Sequence, residues 1–187
     1  MFKQYIDHFS EAVSLAEASK ENFVSCEITS AYNQATELIK SCKKVGGTVY
    51  LVGNGGSSGI VSHSSVDFVN ACKIKAVALT DNSQITCFAN DYGYEQVFSK
   101  PLETLISEKD VLIAVSSSGS SLNIVNAVQV ALQKNAGVIT FSGFLPNNPL
   151  RKLGHYNFWL NSNDYGVVEI GHALLLHLLT DMLKVDV

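Results

Sequence analysis

The sequence predicts an α/β fold: a three-layer sandwich in which a five-stranded parallel sheet is flanked by helices and preceded by two N-terminal helices. Three observations carry that expectation. The 187 residues have the length of one domain, and a composition of 47% hydrophobic and 16% charged residues buries a sizeable core and excludes a disordered chain. From Gly46 onward, short β-rich runs alternate with helical stretches, as in a parallel sheet wrapped by its crossover helices. Residues 2–45 contain neither Gly nor Pro, and their apolar positions recur at helical spacing.

Taken in order, Phe2, Ile6, Phe9, Val13 and Ala16 mark a first helix, and Ile28, Ala31, Tyr32, Ala35, Leu38 and Ile39 a second, with a break near 21–27. The strands are expected at 48–52, 74–79, 111–115, 138–141 and 156–160, where β-branched and aromatic residues cluster between turn signals. Helices are expected at 58–71, 83–89, 94–106, 121–134 and 165–184, the last capped by Asn163 or Asp164. No repeat or linker divides the chain, so 1–187 reads as one domain, with 145–149 as a loop.

Charge and composition narrow the function. Thirteen Lys+Arg against 17 Asp+Glu give a net charge of −4 and a pI near 5.7, which leaves no source for a basic groove and argues against nucleic acid. The most apolar stretch, 173–179, is interrupted by His177 and is far shorter than the roughly 20 residues of a membrane span. Asp7 and Glu11 break the apolar run a secretory signal needs, so the expected location is the cytoplasm. Cys26, Cys42, Cys72 and Cys87 are widely spaced, without a Cys-x-x-Cys pair, and read as buried free thiols rather than disulfides or a structural zinc site.

Two loops carry the binding chemistry. Gly53-Asn54-Gly55-Gly56-Ser57-Ser58-Gly59 follows a strand and opens a helix, so backbone N–H groups can converge there on an anion. Ser58 occupies the last glycine position of a dinucleotide fingerprint, no acidic residue closes the next strand, and Gly-Lys-Ser/Thr is absent. A nucleotide cofactor is therefore not expected. The second loop, Ser116-Ser117-Ser118-Gly119-Ser120-Ser121, also sits between a strand and a helix, and offers up to five hydroxyls beside free helix amides. One serine suffices for a cap, so five describe a neutral cradle for a phosphate monoester better than a cap alone.

His63 and Asp67 share a helix face at four residues' spacing, and Glu169 and His177 share one at eight. Together they have the ligand types of a four-coordinate zinc site, or equally of a general acid and base; taken separately, each pair also reads as ordinary polar positions on a half-exposed helix. His172 and His155 read as structural, and His8 as a surface residue.

The ordered set Gly53-Asn-Gly-Gly-Ser57, His63 with Asp67, Asn90-Asp91-Tyr-Gly-Tyr94, Val115 to Ser121, and Glu169-Ile-Gly-His-x4-His177 resembles the sugar isomerase (SIS) fold. The likeness is greatest to the sedoheptulose 7-phosphate isomerases, or phosphoheptose isomerases, and covers nearly the whole chain. It implies a homotetramer with active sites at subunit interfaces, the 1–45 helices serving oligomerisation and 46–187 forming the phosphosugar-binding core, and it often implies zinc. By motif position, Ser57, Ser116, Ser118 and Ser121 would hold phosphate, Asn54 and Asp91 would contact the sugar, and Gly55, Gly56 and Ser117 would also bind substrate. Asp67 and His177 would be the catalytic base and acid. His63, Asp67, Glu169 and His177 would be the metal ligands, Glu169 lying within reach of substrate as well. The family typically has Glu where Asp67 stands and Gln where Glu169 stands. The implied reaction is sedoheptulose 7-phosphate to D-glycero-D-manno-heptose 7-phosphate through an enediol. The alternatives are a non-catalytic sugar-phosphate sensor or protein-binding scaffold, and an isomerase of another sugar phosphate.

Overall fold

A computed structural model describes residues 1–184. The helices are α1 (Phe2–Ser14), α2 (Ile28–Lys44), α3 (Gly56–Asn70), α4 (Asn82–Tyr92), α5 (Ser99–Leu105), α6 (Leu122–Gln133) and α7 (Tyr165–Asp181). The strands are β1 (Glu17–Lys20), β2 (Val24–Cys26), β3 (Val49–Gly53), β4 (Ala76–Ala78), β5 (Val111–Ser116), β6 (Gly137–Ser142) and β7 (Tyr156–Trp159). They form one sheet in the order β2-β1-β7-β6-β5-β3-β4. The five strands β7, β6, β5, β3 and β4 are parallel, which matches the expected sheet.

Strands β3, β5 and β6 are buried along their whole length, which is why they read as continuous apolar runs rather than alternating ones. Successive side chains enter opposite layers. Leu51, Ile113, Ile139 and Phe141 pack with α2, α3 and α7, and Val52, Leu112, Ala114 and Val138 pack with α5 and α6.

The break expected near 21–27 holds an antiparallel hairpin that extends the sheet by two strands. β1 pairs with β2 and with β7, antiparallel to both. Its turn runs through Asn22 and Phe23 at φ of 57° and 64°, without the glycine that would have announced it. The hairpin is held from outside: the Arg151 guanidinium bonds Glu17 at 2.6 Å and lies over the rings of Trp159 and Phe23, 4.3 and 4.7 Å from their centroids. The helix expected over 94–106 is likewise divided, into a 3-10 turn at Tyr94–Gln96 and α5.

Strand order explains where a ligand can sit. From β3 the chain first moves outward to β4 and then returns to the opposite side of β3 to form β5, so the crossovers diverge between β3 and β5. A crevice opens at such a switch point, beyond the carboxyl ends of the two strands. Gly53 at the end of β3 pairs with Val115 of β5, which brings the glycine and serine loops side by side.

Candidate functional site

Beyond those strand ends lies a cavity of about 220 Å³ lined by Asn54, Gly55, Gly56, Ser57, Ser116, Ser117, Ser118, Ser121, Tyr165 and Glu169. Two helices start at its wall. The N-caps of α3 and α6 are Gly55 and Ser121, and neither helix has a side-chain cap bond. By contrast, Glu27, Asp81 and Asp164 cap α2, α4 and α7. First-turn amides without a side-chain cap, carrying the positive end of the helix dipole, suit an anion. The lining includes no Lys or Arg, and its one carboxylate is that of Glu169.

The serine loop is internally braced. Ser116 Oγ donates to Ser121 Oγ at 3.3 Å and accepts from the Gly119 amide at 3.2 Å. Ser117 is only 6% exposed, and its buried hydroxyl has no hydrogen-bond partner. Such an orphan requires an explanation, and a ligand oxygen in the cavity supplies one. One glycine is sterically required: Gly119 adopts φ +63°, and a Cβ there would strike the buried Asn148 side chain. A Cβ at Gly56 would meet the carboxylate end of Glu169.

Asn148, in the 145–149 loop, is 3% exposed. It donates to Ser142 Oγ and to the Gly143 and Leu145 carbonyls. The Gly143 amide in turn donates to the Ser117 carbonyl at 2.9 Å. The 143–149 loop therefore backs the cradle.

A second group gathers farther along α3 and α7. Asp67 Oδ2 lies 3.6 Å from His63 Nε2 and 3.5 Å from His177 Nδ1, and the two imidazole rings meet edge to face at 5.4 Å between centroids. The three potential ligand atoms lie within 4.8 Å of one another, and Asp67 Oδ2 is buried with no hydrogen-bond donor. Two imidazole nitrogens and a carboxylate oxygen are an N/O donor set that zinc accepts. A second cavity, lined by Gly56, Gly59, Ile60, His63, Ser64, Ala173 and His177, shares Gly56 with the first and reaches two members of this cluster.

Among the expected site residues, the structure brings the two loops together and unites His63, Asp67 and His177. Glu169, expected as a fourth ligand, stands at the first cavity instead, against Gly56. Asp91, expected on the sugar, is exposed at the end of α4, where it accepts from Asn90 Nδ2 at 2.9 Å, and does not line the cavity. The Asn90–Tyr94 motif reaches the site through Tyr94, whose hydroxyl donates to Asn54 Oδ1 at 3.1 Å. Tyr94, Tyr165 and Asn123 were not singled out in the sequence; the aromatic content of the motif was the signal for Tyr94. His172 is fully buried against Phe141, and burial lowers its pKa to about 4, consistent with a structural role. No disulfide joins the cysteines; Cys42 and Cys72 are buried, and Cys87 is exposed. Among the described residues, no helix is long and apolar enough to cross a membrane.

The chain matches the family model for the SIS domain over residues 11–143. A phosphoheptose isomerase of Thermodesulfovibrio yellowstonii is 33% identical over 171 residues, covering 88% of this chain and 84% of the relative. Phosphoheptose isomerase 1 of Campylobacter jejuni is 35% identical over 153 residues, covering 79% and 82%. The solved structure of a phosphoheptose isomerase from Neisseria gonorrhoeae superposes with a TM-score of 0.84 at 28% identity, over 98% of this chain and 95% of that one.

Proposed function

The chain belongs to the SIS domain family, alongside relatives named phosphoheptose isomerase, and on that premise we propose that it is an aldose–ketose isomerase converting sedoheptulose 7-phosphate to D-glycero-D-manno-heptose 7-phosphate. The observation that carries the reading is that one chain holds both halves of such a site on the same two helices. A hydroxyl- and amide-lined cradle stands at one end of α3 and α7, and an acid–base cluster stands farther along them.

Each half has a distinct task. The phosphate monoester takes serine hydroxyls and helix amides in place of water, and this binding far from the reacting carbon contributes orientation. Without a metal, Asp67 removes the proton from the carbon next to the carbonyl and returns it to the neighbouring carbon, passing through the enediol, while His177 gives a proton to the carbonyl oxygen and takes one from the adjacent hydroxyl. With zinc bound, His63, Asp67 and His177 would serve as its ligands instead, and the ion would polarise the sugar's carbonyl oxygen as a Lewis acid.

Exposed apolar residues support sites shared between subunits of a homotetramer. Exposed Val66, Val69, Ile170 and Leu174 beside the cluster, and exposed Phe2 and Ile6 on α1, favour such contacts, the 1–45 segment included. A phosphorylated, hydrophilic substrate is in keeping with a cytoplasmic enzyme.

A coupled assay over a panel of sugar phosphates tests the reading. Turnover of the seven-carbon ketose, lost in Asp67→Asn and in His177→Gln, is the expected result. Binding without turnover in the wild type would instead identify a sensor of sugar phosphate.

A further inference from the structure

Asn54 lines the first cavity, and its carboxamide is tied to two residues that do not line it. Asn54 Nδ2 donates to Asn123 Oδ1 at 2.9 Å, and Asn123 Nδ2 donates back to Asn54 Oδ1 at 2.9 Å. Tyr94 contributes a third bond, from its hydroxyl to Asn54 Oδ1 at 3.1 Å. Asn123 is 3% exposed and lies in the first turn of α6, so it joins the serine loop's helix to the glycine loop. Tyr94 brings in a third segment, beyond α4.

Counting donors and acceptors fixes what the ligand meets. An amide oxygen accepts two hydrogen bonds and an amide nitrogen donates two. Both acceptor positions of Asn54 Oδ1 are filled, by Asn123 and Tyr94, while one N–H of Asn54 Nδ2 has no protein partner among the described residues. The orientation of the pair is not arbitrary, because the Ile124 amide donates to Asn123 Oδ1 at 3.0 Å. That backbone donor identifies which end of Asn123 is oxygen, and the reciprocal pair then identifies the oxygen of Asn54.

We propose that Asn123 and Tyr94 are positioning residues that lock the Asn54 carboxamide with its oxygen occupied and an N–H directed at the ligand, so that the glycine loop presents a donor, never an acceptor, to an anionic substrate. The inference rests on the phosphate reading of the cavity. An acceptor turned toward a phosphate would repel it, so releasing the lock weakens binding even though neither positioning residue touches the ligand. The chemical class selected is a phosphate monoester, whose oxyanion accepts that hydrogen bond.

The test is a double-mutant cycle on the full-length protein with inorganic phosphate as probe, read by calorimetry and by the shifts of the loop amides in NMR spectra. Tyr94→Phe removes one bond from an exposed residue and is expected to weaken phosphate binding roughly five-fold, the worth of about one neutral hydrogen bond. Asn123→Ala is expected to weaken it roughly ten- to thirty-fold, because two bonds are lost. Asn54→Ala should weaken it similarly, and Asn123→Ala should then add less than about two-fold in the Asn54→Ala background, since coupled residues are not additive. A residue that only stabilised the loops would give the same factor in both backgrounds, and that result overturns the inference; so does Tyr94→Phe binding phosphate with wild-type affinity. If the wild type shifts the serine-loop amides with phosphate and these variants do likewise, the positioning roles fail while the proposed function stands. If phosphate leaves those amides unmoved in the wild type, both fail.

Discussion

Replacing Ser117 with alanine is expected to strengthen the free protein and weaken its complex. The Ser117 hydroxyl is buried at the cavity wall and has no hydrogen-bond partner among the described residues. A buried polar group left in that state costs about 1–3 kcal/mol, so Ser117→Ala removes an unfavourable group at the expense of little packing. A net gain of about 1 kcal/mol would raise the thermal midpoint by about 2–4 °C for a chain of this size. In the complex the same hydroxyl donates to a charged oxygen, a bond of about 1.5–3 kcal/mol, so the variant's affinity for inorganic phosphate should fall roughly 10- to 150-fold. Differential scanning fluorimetry with and without phosphate, together with calorimetric titration, reads both effects. A variant that melts below the wild type and binds phosphate with unchanged affinity would refute the reasoning, because the orphaned hydroxyl would then serve the fold and not a ligand.

Other expectations follow from the same structure. Gly119→Ala places a Cβ at φ +63° against the Asn148 carboxamide and should cost more than about 1 kcal/mol, with the thermal midpoint and phosphate affinity falling together. Elemental analysis of protein purified without added zinc should find a stoichiometric metal ion that is lost in His63→Ala; unchanged metal content in that variant would contradict the three-ligand cluster. His172 is neutral in the fold because burial lowers its pKa to about 4, whereas the unfolded chain takes up the proton near pH 6.5. Stability from this group is therefore complete above pH 6.5 and is lost as pH falls toward 4, by about 2 kcal/mol at pH 5. Denaturant titrations of the wild type and His172→Leu at pH 7 and pH 5 should show that slope shrink in the variant.

The parallel strands were legible because β3, β5 and β6 are buried on both faces and so are written as unbroken apolar runs. The loops were legible because glycine and serine at strand–helix junctions have few other reasons to cluster. The β1–β2 hairpin was not: its strands span four and three residues, and what holds it, Arg151 between Phe23 and Trp159, is a long-range arrangement with no local periodicity. The helical spacing that paired His63 with Asp67, and aligned His177 with Glu169, was sound along each helix. It could not tell that Glu169, two turns nearer the N-terminus of α7, lines the first cavity while His177 lies beside His63 and Asp67. Asp91 illustrates the same limit: within the Asn90–Tyr94 motif, the contact with the glycine loop is made by Tyr94, three residues on.

The most direct measurement is a crystal structure of the assembled protein soaked with sedoheptulose 7-phosphate. The account predicts a phosphorus atom enclosed by the Ser116–Ser121 and Asn54–Ser57 loops, with the reacting carbons beside an Asp67–His177 cluster. Sugar phosphate bound elsewhere on the molecule, with both loops empty, would contradict it.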